Sequence, residues 1–349
     1  MRHFIVLVGW LGASVLVSQG AYAATTKPFH IASWSGGAIS NDQTRQFERC
    51  SANLTNAGGV TIIYSLSAQY SWSLAFSSPA WGFSKGDSFN VVLRTADRDD
   101  VRQRAIAVTN QLVELQLDDS IALFDRLRRR GQLQVVAGGL NFGFELNANS
   151  EVLAALMQCV AQQRPVPRNA KPITPFSSPP VPAQPAANPD PARRSEAAEL
   201  AADIITYAGI HGASVLAPNE SPGVRADAVW KVATAVTGVV SILAPDSGTK
   251  LDDMPARLIA GDSQACHGEF FSAAVPEVIE DTRVMRIFTA CYTAPTTTTI
   301  YYVAVKRNEG GLYLLAIKSS GIERLEAAPQ PAKEVDGAVR GVIIKVLSK

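Results

Sequence analysis

A chain of 349 residues is long enough for two domains of ordinary size. Its formal net charge of +1 argues against a general nucleic-acid binder, because such proteins neutralise many phosphates with an excess of Lys and Arg. Apolar residues at 47% and charged residues at 18% are the composition of a folded chain and exclude a wholly disordered one.

Residues 1–23 have the pattern of a secretory signal peptide. Arg2 supplies the positive start, Phe4 to Val17 the apolar core, and Ala21-Tyr22-Ala23 a small-x-small cleavage site. The competing reading is an uncleaved anchor, but the apolar run is short for a span of about 20 residues. No later stretch is long enough to cross a bilayer. The most apolar one, Val232 to Leu243, carries Thr234, Thr237 and Ser241. A periplasmic or secreted location is therefore expected. Export suits the four cysteines, Cys50, Cys159, Cys266 and Cys291, which an oxidising compartment would pair.

The first domain is expected over residues 24–163. Trp34-Ser35-Gly36-Gly37-Ala38 suggests a loop entering a strand, and Val60 to Ser67 has strand composition. Trp72, Leu74 and Phe76 alternate with Ser71, Ser73 and Ala75, the period of a strand with one buried face. Lys85-Gly86-Asp87 is a turn. Strand character resumes at Phe89 to Thr95, Ile106 to Thr109, Leu112 to Leu117 and Leu133 to Val136. A short helix is expected from Ser120 to Arg130 and a second from Glu151 to about Ala161, capped by Ser150 and carrying Cys159.

Three features of this half invite a functional reading. Tyr70, Trp72, Trp81 and Phe83 are candidates for an aromatic platform under a sugar or peptide; the plainer alternative puts Trp72 in the core and Trp81 over an edge. Arg126, Arg128, Arg129 and Arg130 could touch an anionic envelope component, or simply offset a helix dipole. Asp97, Asp99 and Asp100 suggest a calcium loop, but that loop needs Gly at its sixth position and Glu at its twelfth. Arg102 and Val108 stand there instead.

Phe47-x-x-Cys50, Trp72-Ser73-Leu74, Trp81, the Lys85-Gly86 turn and Leu153-x-x-Leu156-x-x-Cys159-Val160 together resemble a recurring, uncharacterised exported β-rich domain family of gram-negative bacteria. The resemblance covers the first domain only. Its motifs are structural, and it implies no substrate, cofactor or catalytic residue.

Residues 164–191 hold half of the 20 prolines. Proline fixes φ and lacks a backbone N–H, so this stretch can join neither a helix interior nor a central strand. It is expected to be an extended linker, up to roughly 85 Å long at about 3.1 Å per residue, that holds two separate bodies apart. With one cysteine pair on each side, Cys50–Cys159 and Cys266–Cys291 are the pairings that keep each bond within one domain. The chain-entropy model gives about 4.7 and about 3.5 kcal/mol for the two loops.

The second domain is expected over residues 192–349. Ser195 is expected to cap an alanine-rich helix that runs to about Ala208 with Gly209 as its stop. Trp230 to Ile242 suggests one long or two short strands. Arg283 to Tyr292, Ile300 to Lys306 and Leu312 to Ile317 form a meander, with a hairpin turn at Asn308-Glu309-Gly310-Gly311. Cys266 is expected on a strand beside Cys291. Val342 to Leu347 is expected to add a last strand, and Ala327 to Lys333 a loop. The fold class is thus α+β: two antiparallel β-rich domains, each with one or two packed helices and one disulfide.

No complete catalytic set is present. Gly261-Asp262-Ser263 resembles the nucleophile block of SGNH-type esterases, but no histidine follows His267 to serve as base. Gly86-Asp87-Ser88 is the same tripeptide in a polar turn. Ser214, beside His211 and Gly212, lacks the second glycine of a nucleophile elbow. The mature chain has three histidines, His30, His211 and His267, and a metal on His267 with Glu269 would lack a third ligand. Neither a P-loop nor a Rossmann fingerprint occurs, so no cofactor is expected. The leading expectation is a non-catalytic two-domain protein that binds an envelope protein or glycan. The alternatives are a hydrolase using Ser263, Ser214 or a carboxylate pair, and a soluble inhibitor or assembly factor for another exported protein.

Overall fold

The computed structural model describes residues 25–95, 100–116, 127, 131–137, 139–163, 172–176, 190–217, 220, 224–232, 236–322 and 330–347. The signal-like segment, Asp97, Asp99, the four clustered arginines, most of the 120–130 helix and most of the proline-rich segment lie outside them.

The first unit is a ten-stranded antiparallel sheet. Its strands are β1 (Thr25–Ile31), β2 (Trp34–Ser40), β3 (Phe47–Thr55), β4 (Thr61–Ser67), β5 (Trp72–Ser77), β6 (Ser88–Arg94), β7 (Asp100–Thr109), β8 (Leu112–Gln116), β9 (Gln132–Ala137) and β10 (Leu140–Glu145). They lie in the order β1-β2-β3-β4-β5-β8-β7-β6-β9-β10. The period-2 pattern of β5 buries Trp72, Leu74 and Phe76 as expected. Trp34 stacks on Tyr64 at 5.0 Å between ring centroids. Helix α1 (Asn149–Gln163) buries Val152, Leu153, Leu156, Met157 and Val160. Its first residue, Asn149, donates to the Tyr64 hydroxyl at 3.3 Å and to the Leu127 carbonyl, which meets part of the hydrogen-bonding demand of a buried amide. Cys50 on β3 is bonded to Cys159 on α1, so the last element of this unit is stapled to the third strand.

The second unit is a seven-stranded antiparallel sheet in the order β11-β12-β13-β17-β16-β15-β14. The strands are β11 (Ala213–Val215), β12 (Ala228–Val232), β13 (Val236–Leu243), β14 (Glu269–Ile279), β15 (Thr282–Thr293), β16 (Thr296–Lys306) and β17 (Leu312–Ile322). Gly310 (φ +92°) and Gly311 (φ +82°) make the β16–β17 hairpin turn, where left-handed backbone is needed. Gly238 on β13 faces Trp230 on β12, and a Cβ there would stand 1.9 Å from the indole. The strand pair is therefore shaped around a bare backbone. The helices are α2 (Pro191–Tyr207), α3 (Met254–Ala265), α4 (Gln330–Arg340) and α5 (Ile343–Leu347).

Several expectations are corrected here. Helix α2 starts four residues before Ser195, because Asp190 caps it through Ala192 N–H at 3.0 Å and Pro191 fits the first turn. Cys266 reaches Cys291 from the end of α3, not from a strand. Residues 343–347 are helical, so the last strand is absent. Residues 330–333, expected as loop, begin α4.

The two units are in contact, which corrects the expectation of bodies held apart. The turn between β4 and β5 lies against β14, the outer strand of the second sheet. Tyr70 O accepts from Ala274 N at 2.8 Å. Ser71 Oγ donates to Ala274 O at 2.8 Å, and Trp72 Nε1 donates to Ser272 O at 2.8 Å. The Trp72 ring stacks on Phe271 at 5.7 Å, and Ser272 Oγ reaches Met157 Sδ on α1 at 3.5 Å. The turn thus satisfies strand-edge groups that an open edge would leave unpaired.

The described part of the proline-rich segment is not a free tether either. Residues 172–176 lie on the second unit: Ile173 N donates to Arg257 O at 3.4 Å, and Pro175 O accepts from Arg225 N at 2.9 Å.

Trp72→Phe keeps a ring on Phe271 but leaves the buried Ser272 carbonyl without its donor. The expected loss is about 1–3 kcal/mol in urea unfolding. A change below about 0.5 kcal/mol would mean that this bond does not hold the units.

Candidate functional site

Helix α3 is the element on which both cavities of interest are built. A short 3-10 turn (Leu251–Asp253) leads into it, and Pro255 sits in its first turn, where a missing N–H costs nothing. Met254, Leu258 and Ile259 anchor it to the sheet at helical spacing. Its end is fixed by Cys266 N donating to Asp262 O at 3.0 Å and by the disulfide to Cys291 on β15.

On one side of α3 opens a cleft of about 780 Å³, at the junction of the two units. Its wall from the first unit is α1, through Leu153 and Met157, with Tyr70 beside them. Its wall from the second unit is Ile259 of α3 with Phe270, Phe271 and Tyr292. The lining is mostly apolar, with Ser263, Glu151 and Glu269 among the polar groups. That size and character are those of a small-ligand or side-chain pocket. The Cys50–Cys159 bond ties the α1 wall to β3, and the Cys266–Cys291 bond ties the end of α3 to β15.

On the other side of α3 is a smaller cavity of about 350 Å³, which includes Asp262, Lys318, Thr174, Phe176 and the Cys266–Cys291 bond in its lining. Asp262 accepts from Thr289 Oγ1 at 2.6 Å and from Tyr302 Oη at 2.8 Å. Burial raises its carboxyl above the ordinary range, and the two hydroxyls and the Lys318 charge offset only part of this. Burial lowers the Lys318 ammonium, against the attraction of Asp262. Burial, and then the Asp262 charge, push the Tyr302 phenol well up.

The residues singled out in the sequence scatter. Tyr70 and Trp72 are only 3% and 2% exposed and face the second unit. Trp81 and Phe83 are half-buried and form a ladder elsewhere on the first sheet: Trp81 lies 5.5 Å from Phe83 and 5.8 Å from Phe142, and Phe83 stacks on Phe89 at 5.2 Å. Four residues that read as one platform thus belong to two places. Ser263 lines the larger cleft, but it sits inside a helix rather than on a strand-to-helix turn, and its Oγ donates to Ala260 O at 3.1 Å. No histidine lines that cleft among the described residues. His267 lines the smaller cavity, on the Asp262 side. Ser214 lies on β11 and lines neither cavity, and His30 Nδ1 is 3.1 Å from Ser35 Oγ on the exposed surface. Among the described residues no group of three or more His, Cys, Asp or Glu could hold a metal ion. No described helix is long and apolar enough to cross a membrane.

Sequence reasoning singled out Gly261-Asp262-Ser263 but missed the helix α3 that carries it, and with it the burial of Asp262 near Lys318. The signal was present: Pro255 after an acidic turn, then apolar Leu258 and Ile259 four and five residues after Met254.

No known protein family matches the chain. No curated protein matches it either. Among solved structures, invasion associated protein B from Bartonella henselae is similar over 40% of this chain and 100% of its own, at 18% sequence identity and a TM-score of 0.28. A likeness that slight carries nothing about fold or activity.

The raised Asp262 carboxyl fixes the sign of a pH effect. The folded state holds this proton more tightly than the unfolded chain, whose carboxyl titrates near 3.8. The contribution is therefore full below that value and lost as pH rises through the raised folded value. The urea stability of wild type relative to Asp262→Asn should be greatest at the acid end and fall across that window. A flat difference, or one that grows with pH, would contradict the assignment.

Proposed function

We propose that the protein is an exported, non-catalytic binding protein of the cell envelope, and that the cleft between α1 and α3 is where it takes its partner. In this reading residues 1–23 are removed on export. Residues 24–163 and 192–349 are the two binding modules, and residues 164–191 connect them. The observation that carries the reading is the cleft itself: a mostly apolar cavity of about 780 Å³ that holds Ser263 but no histidine among its described lining. Such a lining suits apolar side chains of another envelope protein better than a glycan, which needs converging polar groups. The two disulfides and the signal-like start support an oxidising compartment. The half-buried Trp81–Phe83 ladder is the surface on the first unit that a glycan would use.

The hydrolase alternative loses its support at Ser263. A serine nucleophile needs a base within hydrogen-bond reach, and its Oγ bonds back to the helix carbonyl of Ala260 instead.

The cleft is tested with anilinonaphthalene sulfonate as the probe. Ala154 lines the cleft and is exposed, so Ala154→Trp fills the cavity without touching the core. Wild type should bind the dye, an envelope extract should displace it, and Ala154→Trp should weaken it by about tenfold, ~1.4 kcal/mol. Equal dye binding by the two proteins would remove the cleft as the site. Hydrolysis of p-nitrophenyl acetate that Ser263→Ala abolishes would overturn the non-catalytic reading.

A further inference from the structure

Five residues of the proline-rich segment, Pro172-Ile173-Thr174-Pro175-Phe176, are held on the second unit by three separate parts of it. Helix α3 offers Arg257 O to Ile173 N, and the residues before β12 offer Arg225 N to Pro175 O. Strand β17 places Lys318 Nζ 5.5 Å from the centroid of the Phe176 ring, a cation–π contact. Between these, the chain lies directly on the backbone of α3 at Gly261. A Cβ at that position would stand 2.5 Å from Thr174 Cγ2 and 2.7 Å from Ile173 O. A helix whose glycine lies under a proline-bearing segment that turns at Pro175-Phe176, with the aromatic ring clasped at that end, is built like a peptide groove.

The segment does not fill the space it occupies. A cavity of about 350 Å³ remains beside Thr174 and Phe176, reaching to Asp262, Lys318 and the Cys266–Cys291 bond. Two backbone hydrogen bonds and the Phe176 ring contact fix the course of the segment, Pro175 is buried, and Ile173 and Phe176 pack against the core. The unfilled space beside it leaves room for an occupant of greater bulk.

We propose that the second unit carries a binding groove for a Pro-x-x-Pro-Phe peptide that turns at its Pro-Phe end, and that residues 172–176 occupy it in cis until a proline-rich segment of a partner protein displaces them. The cis occupant is covalently attached, so it competes at a high effective concentration, on the order of millimolar for a short connection. A free peptide therefore sees only the fraction of molecules whose groove is open, and its apparent affinity is reduced by that fraction. The groove lies across α3 from the larger cleft and is independent of the reading proposed for it: Ile259, Ala260, Ser263 and Gln264 face the cleft, while Asp262 and Ala265 face the groove.

The test uses the oxidised full-length chain and a fluorescein-labelled peptide of residues 171–177. Ile173→Gly with Phe176→Gly weakens the cis occupant and leaves every groove residue intact. By fluorescence anisotropy this double variant should bind the peptide at least about tenfold more tightly than wild type. Adding Lys318→Ala should weaken that binding several-fold, and adding Gly261→Ala should abolish it. Binding no tighter than wild type, or unmoved by Lys318→Ala, would overturn the proposal. So would a wild-type dimer formed by exchange of the segment between copies, which would assign the groove to self-assembly. Hydrogen exchange on wild type needs no variant: the Ile173 amide should be protected, and exchange at the rate of an unstructured chain would refute the cis contact.

Discussion

The structure depends on one contact of few atoms: the β4–β5 turn laid against the outer edge of β14. Tyr70 O and Ser71 Oγ take both backbone groups of Ala274, and Trp72 Nε1 takes the carbonyl of Ser272 two residues earlier. Residues 272 and 274 of a strand point their peptide groups the same way, so one turn can meet both. A sheet edge is a row of unmet donors and acceptors, and covering it here serves two ends. It removes a surface that would pair with another chain, and it fixes one unit against the other. Tyr70 holds a left-handed backbone at φ +63°, a conformation costly for a side chain of its size. The same residue lends its carbonyl to the contact.

The larger cleft follows from that contact. Its walls come from different units, so its width is set by how the turn and α1 sit on β14. Each wall is tied in its own unit by a disulfide, α1 through Cys159 and the end of α3 through Cys266. Helix α3 then divides the space. Its apolar side borders the cleft, and its Asp262 side borders the cavity beneath residues 172–176. The cost of burying Asp262 is met in part by Thr289, Tyr302 and Lys318, groups drawn from three successive strands, β15, β16 and β17. The charge cluster thereby helps to fix α3 over the sheet.

Much of this was legible in the sequence. The alternation of Trp72, Leu74 and Phe76 placed β5, the glycine pair at 310–311 placed the last hairpin, and the position of the prolines between two cysteine pairs selected the disulfides. What could not be read was contact between distant segments. Trp72 has the same period-2 signature whether its face meets its own sheet's core or a second unit, so its partner Ser272 is invisible in the pattern. The proline-rich segment has the composition of a tether, yet five of its residues are docked, because composition reports what a segment cannot form and not what it can lie on. At residues 343–347 the run Ile-Ile-Lys-Val-Leu is too short for periodicity to separate helix from strand, and packing decided for helix. The four aromatic residues divide between two places for a related reason: closeness in sequence brought Tyr70 and Trp81 together on paper, while the turn after β5 carries Trp81 to the Phe142 ladder.

The claim that the two units form one docked body is tested most directly by cutting the chain between them. A protease site introduced between residues 180 and 181 severs the connection, and neither disulfide spans the cut. The account predicts that the two fragments elute together in native buffer and separate in denaturant without reductant. Fragments that part in native buffer would show that the turn on β14 does not hold them, and the cleft between them would lose its walls.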